Sequence, residues 1–154
     1  MKKFAKMMYT ISVRLLAAGE SCENYLEGCT YAYSENKPFL LKGTVDEMWP
    51  IDPVKLCKTY ELLDGSAINP AEITGEWLTI RVKEDACPIW AEQVPVGKQV
   101  QVATSWGDVL TANRDGVPHG EGDFIVAADD NGKPSETDRW IVNGAVFSNT
   151  YREV

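Results

Sequence analysis

Few residues in this chain are suited to nucleophilic, metal or acid–base chemistry. There are four cysteines, Cys22, Cys29, Cys57 and Cys87, and one histidine, His119. Acyl transfer needs a nucleophile, a base to take its proton and a third group to orient the base. His119 is the sole imidazole for the middle role, and no sequence motif sets a cysteine or serine beside it. Structural zinc sites use close-spaced ligand pairs. The cysteines form no Cys-x-x-Cys pair and lie far from His119 in sequence, so the chain is expected to hold no metal and no cofactor. Reduced, partly buried thiols are the expectation, with Cys22 and Cys29 near enough in sequence for a local disulfide only in an oxidising compartment. Gly116-x-x-x-Gly120-x-Gly122 lacks the Lys-Ser/Thr of a phosphate loop and leads into a strand rather than a helix, which makes it a turn. Asp108 and Asp123 offer carboxylates for an acid–base pair, but an acidic chain offers many such pairs. No catalytic residue is assigned.

The 154 residues carry a net charge of −8. The excess is uneven: residues 1–74 hold 8 basic and 10 acidic side chains, residues 75–154 hold 7 and 13. A surface of this sign repels phosphate backbones, so direct nucleic-acid binding is not expected. No apolar run reaches the 18 or more residues of a membrane span, and Arg14 interrupts the apolar stretch that follows the charged start Met1-Lys2-Lys3. A soluble cytoplasmic protein that touches no membrane is the expectation. Aromatic residues give a better clue to binding. Trp77, Trp90 and Trp106 are additional to the repeated Trp described next, and Trp106 sits in a hairpin turn, where an exposed aromatic side chain marks a contact surface. Trp106 and Asp108, with His119 from the Gly-rich stretch, form the candidate partner-binding set.

The elements that must carry these residues follow from alternation and caps. Odd-numbered apolar residues from Met7 to Leu15 predict one strand. Ser21 is read as the cap of a short helical turn containing Tyr25 and Leu26. Strands are predicted at 29–33, 39–44, 76–82, 88–94, 124–128 and 140–142, with a hairpin over 99–112. Asp52-Pro53 and Asn143-Gly144 each open a short helix that ends before a tyrosine strand. Met48 to Tyr60 and Arg139 to Tyr151 share a layout: Trp to Tyr spans 11 positions in both, with Asp or Asn, Leu or Phe, and Thr-Tyr at equal offsets. Phe39 and Phe124 lead the preceding strands, and further back Phe4-Ala5 matches Trp90-Ala91. The expected fold is α+β, mainly β, in two related β-rich units: residues 1–63, a turn-rich linker at 64–75, and residues 76–154, with one core shared by the units as the alternative to two.

Within the second unit, Gly122-Asp123-Phe124-Ile125-Val126, the Gly132-Lys133 turn, Arg139-Trp140-Ile141-Val142-Asn143 and Phe147-x-x-Thr150-Tyr151 carry a resemblance. Residues 87–154 resemble small phage- and prophage-associated proteins with a Pro-Gly-Asp-Tyr-type signature and a Phe-x-x-Thr-Tyr ending. Glu121 and Phe124 stand where the signature has Pro and Tyr. The resemblance implies a compact β-rich module in a phage or mobile-element setting and brings no catalytic residue. The expected function is a non-enzymatic protein-binding module. Two alternatives are a small enzyme with its site in a cleft between the units and an acidic inhibitor that mimics nucleic acid.

Overall fold

The computed structural model describes residues 1–84 and 88–154. Strands dominate, at 46% of residues against 11% in two helices, so the chain is mainly β. Among the described residues no helix is long and apolar enough to cross a membrane.

The strand expected over Met7 to Leu15 is β2 (Thr10–Leu15), and a separate strand, β1 (Lys2–Lys6), precedes it and enters a different sheet. The chain then forms β3 (Ser21–Asn24), β4 (Cys29–Ala32), β5 (Phe39–Lys42), β6 (Met48–Ile51), helix α1 (Pro53–Thr59), β7 (Tyr60–Leu62) and β8 (Leu78–Val82). The second half forms β9 (Ile89–Gln93), β10 (Val100–Ala103), β11 (Val109–Ala112), β12 (Phe124–Asp130), β13 (Lys133–Val142), helix α2 (Gly144–Thr150) and β14 (Tyr151–Glu153). Two compact units result, one of Met8–Ala86 and one of Cys87–Val154 completed by Met1–Met7.

The Met8–Ala86 unit is built on an antiparallel sheet in the order β6-β5-β2-β8-β7. Alternation puts Ile11, Val13, Phe39, Leu41, Ile80 and Val82 on one face, where Leu56 of α1 and Tyr60 close the core. Leu40 points the other way and is fully buried with Leu16, Cys22 and Tyr31, the last two from the β3–β4 hairpin. Asp52 caps α1 by accepting the Lys55 amide at 2.8 Å, and Pro53 opens the helix. Ser21 lies within β3. The cap belongs instead to Asn24, whose Oδ1 accepts the Leu26 and Glu27 amides at 3.1 Å in the turn between β3 and β4. Cys22 and Cys57 are free thiols, and Cys87 lies outside the described residues. The hairpin register sets Cys22 opposite Tyr31 and Cys29 opposite Asn24, so Cys22 and Cys29 do not face each other.

The stretch 64–75 is not a linker. Ile68 and Ile73 are 6% and 4% exposed and belong to this unit's core, and Asn69 caps a 3-10 turn at Pro70–Glu72. Turn residues there shape a packed excursion between β7 and β8. β8, expected to open the second unit, is an interior strand of the first, with Ile80 opposite both Ile11 and Leu62. Its alternation specifies a half-buried strand and says nothing about which sheet receives it.

The other unit has the sheet order β13-β12-β9-β1-β14. Ile89, Ala91, Val126 and Phe147 form its core with Phe4, Phe124, Trp140, Val142 and Tyr151 packed around them. Phe147 stacks between Phe124 and Tyr151 at centroid distances of 3.8 and 4.7 Å, and Phe4 meets Phe147 edge-on at 4.9 Å. Asn143 caps α2 through the Ala145 and Val146 amides. Trp49 faces Leu41, which faces Val13; Trp140 faces Val126, which faces Ala91. Phe4 takes in its sheet the place that Ile80 takes in the other, opposite Ile89 and Glu153. The match of Phe4 with Trp90 therefore fails: Trp90 occupies the register position of Ser12.

Replacing Ile68 or Ile73 by Ala is expected to lower stability by about 2–4 kcal/mol in urea unfolding, the range for a deleted core aliphatic side chain. A true linker residue would change it by less than about 0.5 kcal/mol.

Candidate functional site

The Gly-rich stretch around His119 folds into a clasp organised by a buried carboxylate. Asn113 adopts a left-handed conformation (φ 57°), which Asn tolerates. Its Nδ2 donates to the carbonyls of Val94, Pro95 and Lys98 at 2.9–3.0 Å. The Asn113 backbone amide donates to Asp123 Oδ2 and its Oδ1 accepts the Asp123 amide, both at 2.8 Å. Asp123 Oδ1 accepts the Gly144 amide, at the start of α2, at 3.0 Å and faces His119 Nδ1 at 2.7 Å. His119 Nε2 faces the Arg114 carbonyl at 2.6 Å. Asn143 Nδ2 donates to the Pro118 carbonyl at 2.8 Å, drawing the loop onto the helix start.

The glycines follow from this closeness. A Cβ on Gly122 (φ +128°) would lie 2.0 Å from the Val94 carbonyl oxygen. One on Gly144 would lie 2.1 and 2.2 Å from the carbonyl oxygens of Gly122 and His119. The glycines let backbone meet backbone, in keeping with the reading of this stretch as a turn.

A general base must hold a nitrogen within reach of the proton it removes. Both nitrogens of His119 are turned to acceptors within the chain, and the side chains of His119 and Asp123 are only 11% and 4% exposed. The pair resembles two members of a catalytic triad, but its geometry holds a loop to a helix. Burial pushes the Cys22 thiol up, away from the reactive thiolate.

Trp106 and Asp108 share the turn of the β10–β11 hairpin. The Thr104 amide and hydroxyl both donate to the Asp108 carbonyl at 2.8 Å, and Gly107 (φ +101°) makes the reversal. Ser105 Oγ donates to Asp138 Oδ1 at 3.3 Å, tying the turn to β13. Trp106 is 36% exposed and Val109, in the first position of β11, is 57% exposed. The turn thus presents an aromatic ring, an aliphatic side chain and a carboxylate together. His119 enters the clasp rather than this turn.

A second aromatic cluster was not singled out by sequence reasoning. Trp77, 40% exposed, has the Lys42 ammonium 4.7 Å and the Arg14 guanidinium 5.0 Å from its ring centroid. Arg14 also holds Glu20 through two bonds of 3.0 and 2.6 Å. The hydrogen bond from Arg14 holds the Glu20 carboxyl down at about 2, well below the usual carboxylate range. The visible signal was alternation, which puts Trp77, Thr79 and Arg81 on the face opposite the aliphatic residues. Which cations cross the sheet to Trp77 depends on pairing. Burial raises the Glu47 carboxyl, which lies against Gly43 and accepts the Val45 amide at 3.2 Å.

The chain matches no protein-family model, no curated protein and no solved structure.

Asp123→Asn places an amide donor where both carboxylate oxygens accept. It is expected to cost about 2–4 kcal/mol in urea unfolding, as for other broken buried polar networks. Glu20 is expected to titrate near 2 by carboxyl NMR and to return to the ordinary carboxylate range in Arg14→Gln. Because its folded value is depressed, the stabilisation is present above the unfolded value and disappears as pH falls towards 2.

Proposed function

We propose that this chain is a non-catalytic protein-binding module of phage or mobile-element origin, with two related β-rich units, that engages its partner through the turn of the β10–β11 hairpin. The observation that carries the binding reading is the joint presentation of Trp106, Val109 and Asp108 on one turn held by Thr104 and Ser105. Aromatic anchors on a fixed backbone give contact area with little entropy to lose on binding. His119 serves as a positioning residue in the clasp. Relatedness of the units is supported by strand orders that match once β1 takes the place of β8, and by the capped helices that precede Tyr60 and Tyr151. The mobile-element setting rests on the resemblance over residues 87–154.

The test compares partners captured from the host by the wild-type chain with those captured by Trp106→Ala and Asp108→Asn, each checked for native stability. Trp106→Ala is expected to weaken capture at least tenfold, the scale of a binding hot spot. Asp108→Asn should act mainly on association rate and salt dependence. A partner retained at full affinity by Trp106→Ala would overturn the assignment. Affinity that collapses steeply with added salt would favour the nucleic-acid mimic.

A further inference from the structure

We infer that β1 is an exchangeable strand and that the occupant of its slot in an assembly is the β1 of a second copy of this chain. The inference concerns self-association and stands independently of the partner proposed above.

The slot is defined by register. β1 lies between β9 and β14, with Lys2, Lys3 and Phe4 opposite Ala91, Trp90 and Ile89 on one side. Phe4, Ala5 and Lys6 face Glu153, Arg152 and Tyr151 on the other. β14 has β1 as its ladder partner and forms the edge of the sheet. The Cys87–Val154 unit therefore needs a strand supplied from outside its own contiguous sequence.

That strand is weakly anchored. None of the five residues of β1 is buried. Only Phe4 adds an apolar ring to the core, while Lys2 and Lys6, two residues to either side, share its face. Lys6 lies 5.8 Å from the Tyr151 ring centroid, and Lys2 reaches Glu153 at 3.7 Å with both side chains more than half exposed. β8 holds the equivalent position in the other sheet with Ile80 and Val82 fully buried. Of these two interior strands, β1 is the one with no buried residue and a single apolar ring turned to the core.

The tether is short. Met7–Tyr9 carries the chain from β1 to β2, with the Met7 amide bonded to the Thr150 carbonyl at 2.8 Å and the Tyr9 carbonyl accepting the Val82 amide at 3.0 Å. Short connectors held at both ends favour exchange between copies, because the exchanged form keeps every strand contact and only the connector changes path. Two copies that trade β1 each regain the complete ladder.

The experiment uses the wild-type chain. Equal amounts of ¹⁵N-labelled and unlabelled protein are unfolded together in urea and refolded at high concentration, and the dimer is isolated by size exclusion. A carbodiimide then joins the Lys2 amine to the Glu153 carboxyl as an amide with loss of water. Mass spectrometry of the digest reads the isotopes of each cross-linked peptide pair. Exchange predicts mixed-isotope Lys2–Glu153 pairs as abundant as same-isotope pairs. Dimers whose pairs are all same-isotope would show side-by-side association and overturn the inference. Recovery of monomer alone at every concentration would overturn it as well.

Discussion

The arrangement of the second half depends on satisfying one buried carboxylate. An ionised group removed from water is tolerated only where its oxygens are bonded. Asp123 meets that condition with two backbone amides and an imidazole, drawn from Asn113, Gly144 and His119. These partners come from the end of one hairpin, the start of a helix and the loop between them. Fixing the carboxylate fixes the path of all three. It also explains the glycines at 122 and 144, where a side chain would enter the space of a carbonyl oxygen.

This arrangement separates positioning from presentation. The sole histidine, the natural candidate for chemistry, is spent on holding the loop. The turn leaves Trp106 36% exposed and is tied to β13 through the bond from Ser105 to Asp138. On the binding reading proposed above, the inner network positions the loop and the aromatic turn makes the contact. The Trp77 cluster adds an exposed aromatic ring that carries cations on a chain of net negative charge.

Much of the local structure was legible in the sequence. Asp52-Pro53 and Asn143-Gly144 start helices because capping is decided by a few adjacent residues, and alternation locates most strands. What the sequence did not show is non-local. The alternation from Met7 to Leu15 locates β2, but β1, where Phe4 falls out of that register among lysines, carries too weak a pattern to be read as a strand. Ile68 and Ile73 sit among turn residues, and only the fold reveals that they are buried. Ser21 and Asn24 compete for the same turn, and the winner depends on Ser21 being drawn into β3. For the site, spacing placed Trp106 and Asp108 in one turn. The joining of His119 to Asp123 and of both to α2 required the folded chain.

The placement of β1 also sets an order of events in folding. Phe4 pairs with Glu153, so the ladder joins residues separated by nearly the whole sequence given. Contacts of such separation form late, after the intervening chain has been ordered, because loop closure must precede any gain from pairing. The Met8–Ala86 sheet draws its strands from a contiguous segment and can condense while β14 is still being synthesised. Until then β1 lacks its β14 ladder, and its residues, with three lysines among five, keep the waiting segment charged and soluble.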